Sequence, residues 1–262
     1  MFLEEAQISA WIASLWLPFL RITGAMMAAP LFSSSYVPVR SRIAIALFTA
    51  LVVAPVIPTP PAINVLGLEA VLIAANEILI GICLGFLVQL VFEAIVFAGQ
   101  TISMGMGLGF AMMVDPQRGT SVPILSQFFL LISLLIFLAL DGHLAFLQLI
   151  AGSFSIWPVG IAVISADTAG MIVEWSAEIF SGAIRVALPA VIALLVVQIG
   201  VGVISRAAPT LNLFAVGFPI AILVGYLVLY QMMPLFLPAM DSLLLPAFET
   251  AGELLKTGGS DG

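Results

Sequence analysis

Reactive side chains are nearly missing from this chain of 262 residues, which carries one histidine (His143), one cysteine (Cys83) and one lysine (Lys256). One His and one Cys cannot build a tetrahedral zinc site unless carboxylates complete it, and no carboxylate spacing suggests that. A lone cysteine makes no internal disulfide, and Cys83, set in an apolar stretch, reads as a small core hydrophobe. Charge is scarce too: 8% of residues are charged, against about a quarter in an ordinary soluble domain. The net charge of −7 excludes a basic nucleic-acid surface and a polybasic lipid anchor. The opening MFLEEAQ is acidic, so it lacks the basic n-region of a cleavable signal peptide, and the first apolar segment is expected to stay in the mature protein. The Gly105-x-Gly107-x-Gly109 spacing follows no strand and is not the dinucleotide fingerprint. No enzyme chemistry, metal or cofactor is expected.

What the chain has instead is apolar length. Hydrophobic residues make up 63% of it, and six stretches stand out, at about 8–32, 43–58, 71–98, 124–150, 172–205 and 211–240. A bilayer-spanning helix needs roughly 20 residues, so the second stretch is marginal and the third to fifth are long enough to tilt or to continue past a membrane. Pro18, Pro30, Pro55, Pro189, Pro219, Pro234 and Pro238 punctuate them, each removing a backbone hydrogen bond. The expected fold is therefore all-α and membrane-type, with about six kinked apolar helical segments forming hairpins. Residues 1–248 are expected to form a single helical domain, followed by a short, loose polar tail at 249–262. Arg40, Arg42, Arg118 and Arg206 fall in alternate links, while the links holding Glu69 and Asp167 carry no basic residue. By the positive-inside rule the arginine-bearing links face the cytoplasm and both termini face outward.

One run differs from the rest. From Ser103 to Gly119 the sequence reads SMGMGLGFAMMVDPQRG, with three glycines and four methionines before any charge and a fourth glycine at its end. Each interior glycine costs a helix about 1 kcal/mol relative to Ala, so the run is a poor helix, yet it is too apolar for a solvated loop. Irregular backbone at membrane depth survives only buried in protein or lining a cavity. A pliant apolar segment suits a seal.

Charges inside apolar segments form a second set of candidates: Arg21, Glu77, Glu93, Glu174, Glu178 and Arg185, with Arg206 at the end of the fifth segment. A charge at the bilayer centre costs about 2.5–3.5 kcal/mol even on insertion scales. Glu174 and Glu178 are four apart and Glu178 and Arg185 seven apart, so all three are expected to share one helix face. These charges either line an ion path or pair with other helices and other subunits. Asp141 and His143 stand where the fourth segment pauses, and read either as a proton relay or as a structural turn. The spacings Gly24-x-x-x-Ala28 and Gly81-x-x-x-Gly85 let helix backbones approach closely, within this chain or between copies.

Five stretches taken in order carry a resemblance: RITGAMMAAPLFSSSYVPVRSRI (21–43), EILIGICLGF (77–86), GLGFAMMVDPQRG (107–119), ALDGHL (139–144) and SRAAPTLNLFAVGFPIAILVG (205–225). Together they resemble the FliR/SctT family of type III secretion export-gate components over about residues 11–240. The resemblance implies a fold like a FliP-like part fused to a FliQ-like part. It also implies assembly with FliP-like and FliQ-like subunits, an FlhB-like protein at the cytoplasmic end, an FlhA-like export component and the basal-body ring. Membership further implies residence in the bacterial inner membrane and passage of unfolded export substrates. The glycine-rich run would project into the export channel as a plug made of Met104, Gly105, Met106, Gly107, Leu108, Gly109, Phe110, Ala111, Met112, Met113, Val114, Asp115 and Pro116. Phe110, Met112, Met113 and Val114 would form the constriction. The chain departs from the family pattern at Gly105 and Thr210, where glutamine is expected in both places. The alternative from the residues themselves is a proton-coupled secondary transporter acting alone through Glu77, Glu93 or Asp141–His143.

Overall fold

The computed structural model describes residues 5–33, 37–58, 67–109, 123–160, 164–207 and 213–258. Among the described residues there are nine helices and no strand: α1 (Glu5–Ala28), α2 (Pro30–Ser33), α3 (Val39–Val53), α4 (Leu68–Gly105), α5 (Ile124–Ala139), α6 (Gly142–Ile156), α7 (Ala166–Ser176), α8 (Glu178–Ala207) and α9 (Leu213–Gly258). The all-α, apolar-helix expectation holds. Three described helical stretches are long and apolar enough to cross a membrane: Leu68–Gly105, Ala166–Ala207 and Val216–Thr257. The broken pair α5–α6 makes a fourth if it counts as one span.

Prolines place several of the boundaries. α4 occupies the longest proline-free interval of the chain, between Pro61 and Pro116, and runs 38 residues without interruption. α3 follows Pro38, α5 follows Pro123, and Pro30 opens α2, where its missing N–H costs nothing. Other prolines do not interrupt. α1 passes through Pro18, α8 through Pro189, and α9 runs 46 residues through Pro219, Pro234, Pro238 and Pro246. The fourth apolar segment does break, at Leu140 and Asp141. Asp141 there takes a left-handed conformation (φ 54°, ψ 23°) before α6 begins. Its side chain is exposed and caps nothing. Leu140 and Asp141 thus form the turn between α5 and α6.

The chain divides into two compact units. Unit 1 comprises Met1–Leu90, Phe137–Ser176 and Leu244–Gly262, and unit 2 comprises Val91–Ile136 and Ala177–Leu243. In unit 1, α1 packs on α3 and on α4. The contact with α4 is backbone to backbone. A Cβ at Gly81 would collide with the Arg21 carbonyl oxygen and stand 2.8 Å from the Ala25 nitrogen, and one at Gly85 would collide with the Ala25 carbonyl. The small-residue spacings are thus spent on packing inside this chain. Trp157 anchors the adjoining core with Ile80, Leu84, Leu87, Ala251, Leu254 and Leu255, and its Nε1 donates to the Leu255 carbonyl at 2.6 Å. This corrects the expected loose tail at residue 249. α9 continues to Gly258, because Ala251, Leu254 and Leu255 recur at helical spacing and bury fully against that tryptophan. In unit 2, Phe129 meets Phe236 edge to face at 5.0 Å, and Gly99 brings α4 onto Ser126 of α5.

Candidate functional site

The glycine-rich run begins as the end of a helix. α4 closes at Gly105, and the next residues form a Schellman cap: the Gly107 N–H donates to the Met104 carbonyl and the Leu108 N–H to the Ser103 carbonyl, each at 3.0 Å. Gly107 has φ +81°, a conformation that an L side chain rarely adopts. Met106 is fully buried, Met104 is 65% exposed, and Gly105, Leu108 and Gly109 are half-buried. The Gln198 amide on α8 reaches across to donate to the Gly105 carbonyl at 2.9 Å. Phe110, Ala111, Met112, Met113, Val114, Asp115 and Pro116 lie outside the described residues.

Residues on both sides of 110–122 border one half-open apolar groove of about 420 Å³. Met106 and Leu108 line it from the end of α4, Ile124 and Phe128 from α5, and Tyr226, Leu229 and Tyr230 of α9 form the far wall. The lining is almost entirely hydrocarbon and aromatic ring. Its chemistry is to shelter apolar or soft side chains, not to hold ions or polar substrates.

The buried charges organise unit 1. Arg21 and Glu77 have no exposed surface, and Arg21 Nε donates to Glu77 Oε2 at 2.6 Å. Arg21 Nη1 also donates to Ser153 Oγ at 3.2 Å and to the Trp157 carbonyl at 3.0 Å, while its guanidinium lies 4.3 Å above the Phe154 ring. The other carboxylate oxygen of Glu77 accepts from the Gly160 N–H at 3.1 Å. Four segments (α1, α4, α6 and the turn after α6) are therefore tied together by one charge pair. Glu77 belongs to this internal network, with its partner on another helix of the same chain.

The remaining charged candidates stay apart from that network. Glu93, Glu174, Arg185 and Arg206 are exposed. Glu178, in the first turn of α8, accepts from Ser181 Oγ at 2.6 Å. α7 closes at Ser176 and α8 opens at Glu178, so a one-residue break at Ala177 lies between Glu174 and Glu178 within the helical stretch Ala166–Ala207. His143 Nδ1 is buried with no hydrogen-bond partner among the described residues, and the Asp141 side chain is exposed. Among the described residues no group of His, Cys, Asp and Glu has the geometry to hold a metal ion.

Sequence reasoning missed Gln198 and the partners of Arg21. Gln198 had a visible signal, since it is the single amide within the apolar run from Val186 to Ser205. Ser153 and the Trp157 carbonyl had none, because a lone serine and a backbone oxygen look ordinary in a sequence.

Comparison with known proteins now adds to the geometry. The profile of the family described as bacterial export proteins, family 1, matches residues 12–246. The flagellar biosynthetic protein FliR of Pectobacterium carotovorum subsp. carotovorum is 34% identical over 247 residues, covering 94% of each chain. FliR of Escherichia coli (strain K12) is 31% identical with the same coverage. FliR of Bacillus subtilis (strain 168) is 30% identical over 242 residues, covering 91% of this chain and 93% of the relative. The resemblance carried by the five ordered stretches therefore holds across nearly the whole length, and this chain, a membrane protein by its helices, belongs to the bacterial export proteins, family 1, alongside the FliR proteins.

Proposed function

We propose that this chain is a non-enzymatic core subunit of the flagellar type III protein export gate in the bacterial inner membrane. There it helps form, and plugs, the channel that passes unfolded export substrates. Its partners in this reading are FliP-like and FliQ-like subunits and an FlhB-like protein, with an FlhA-like component and the basal-body ring nearby. The carrying observation is the root of the run: a helix capped at Gly107 whose Met106 and Leu108 border an apolar groove, followed in the sequence by the apolar, methionine-rich residues 110–114. Methionines adapt their shape, which suits a seal that must close after passing many different chains. The relatives' names, flagellar biosynthetic proteins, support the flagellar setting. The exposed Glu174 and Arg185 on long apolar helices support contact with other subunits, since lipid solvates such groups poorly.

The test removes residues 110–114 while leaving the cap at Gly107 and Leu108 intact. Cells carrying the co-expressed gate with this deletion should leak small ions across the inner membrane. Wild-type permeability in a fully assembled complex would refute the plug.

A further inference from the structure

The last turn of α4 can be accounted for carbonyl by carbonyl. A helix ends with four carbonyls that have no intrahelical partner, and at apolar depth no water replaces one. The four here are Ile102, Ser103, Met104 and Gly105. The Met106 N–H takes the first at 2.9 Å, Leu108 takes the second and Gly107 the third, both at 3.0 Å. The fourth, at Gly105, is taken by Gln198 Nε2 at 2.9 Å, from a different helix. The local cap is thus completed by a side chain 93 residues away.

Packing locks the same point. A Cβ at Gly225 would stand 2.5 Å from Met106 Cγ and Cε, so the Met106 side chain fills the notch left by that glycine on α9. A Cβ at Gly107 would stand 2.6 Å from the Phe218 ring, also on α9. Leu194 of α8 lies against Gly105, with its Cδ1 3.1 Å from where a Cβ would be. Hydrogen bonding and packing therefore agree that Met104–Leu108 is joined to α8 and α9 and is not the free start of a loop.

We propose that this segment is a fixed root. It stays docked on α8 and α9 throughout export, and Gln198 is the positioning residue that holds it in register. The inference rests on the plug reading for its consequence, because a seal can close reproducibly only if it is carried from a fixed point. The glycines at 105 and 107 then serve close packing and capping.

The test is a reversible bolt. A Cβ built on Gly105 lies 3.8 Å from the Leu194 Cβ, which matches the mean separation in a disulfide of about 3.8 Å. Gly105→Cys with Leu194→Cys, in a chain where Cys83→Ser removes the one native thiol, is assembled in the complete gate and oxidised. Secretion of a flagellar substrate is then measured before and after reduction. A fixed root predicts export within twofold in the two states; a tenfold or larger loss on oxidation, regained on reduction, would overturn it. Gln198→Leu gives a second readout that does not depend on the cysteines. It should raise small-ion leak at least threefold while co-purification of the gate subunits stays at the wild-type level. Wild-type permeability in that variant would remove Gln198 from the proposal. Failure of the plug reading shows separately, as a tight membrane in the 110–114 deletion, while the disulfide still reports whether the root moves.

Discussion

Glu77→Gln isolates the charge of the buried pair from its shape. The substitution keeps side-chain volume and keeps a carbonyl oxygen to accept from the Gly160 N–H, so packing against α1 and α6 is unchanged in first approximation. It deletes the negative charge 2.6 Å from Arg21 Nε, in a place where neither side chain has exposed surface. Arg21 keeps Ser153 Oγ, the Trp157 carbonyl and the face of Phe154, all of them neutral. Breaking a buried pair from one side costs about 3–5 kcal/mol, because the remaining charge is uncompensated. Total stability is typically about 5–15 kcal/mol, so the loss is a large fraction of it. By the usual size scaling the unfolding midpoint should fall by on the order of 10 °C. The double variant Arg21→Met, Glu77→Gln removes the orphaned cation and leaves the Trp157 carbonyl without its donor, at about 1–3 kcal/mol. It should therefore be more stable than Glu77→Gln alone. Thermal unfolding of the detergent-solubilised gate, followed by tryptophan fluorescence, measures both. A single variant melting within about 2 °C of wild type, or a double variant melting below the single, would refute this account of the network.

Three further outcomes rest on the backbone. Gly81→Ala drives a Cβ into the Arg21 carbonyl and the Ala25 nitrogen, atoms that cannot rotate away, and should cost about 3 kcal/mol or more. Gly152→Ala in α6 meets nothing within 4 Å and should gain about 0.5–1 kcal/mol from helix propensity, so the same assay must separate the two by sign. Asp141→Gly relieves the left-handed backbone at φ 54° and should stabilise by about 1 kcal/mol while export continues unchanged. Loss of export in that variant, with the gate assembled, would restore a proton-carrying role for Asp141 and His143.

The helical fold was legible because apolar length is a strong signal and this chain has little else. The break at Asp141 was legible too, since Asp-Gly-His interrupts an unbroken run of hydrophobes. α9 continues through Pro219, Pro234, Pro238 and Pro246, where long-range burial of Leu229, Met232, Phe236 and Met240 outweighs the lost backbone bonds. The stretch beyond Glu249 reads as polar in the sequence, because Ala251, Leu254 and Leu255, which bury with Trp157, are few among its charged and small residues. Arg21 and Glu77 each stood out as intramembrane charges, but they are 56 positions apart, and no local rule pairs residues at that distance.

The glycine-rich run shows where composition stops being informative. Glycine lowers the cost of motion, and it also permits the one backbone conformation that ends a helix cleanly. The two uses look identical in a sequence. Hydrogen-bond accounting separates them, because a mobile glycine leaves its neighbours' carbonyls to find changing partners, whereas here all four terminal carbonyls of α4 have fixed ones. The same accounting explains why a single glutamine interrupts α8's apolar run. The Schellman cap supplies donors for the carbonyls up to Met104, and the Gly105 carbonyl is left for a donor from outside the helix. Gln198 is that donor, and the cost of carrying an amide on an apolar helix is offset where it completes the cap.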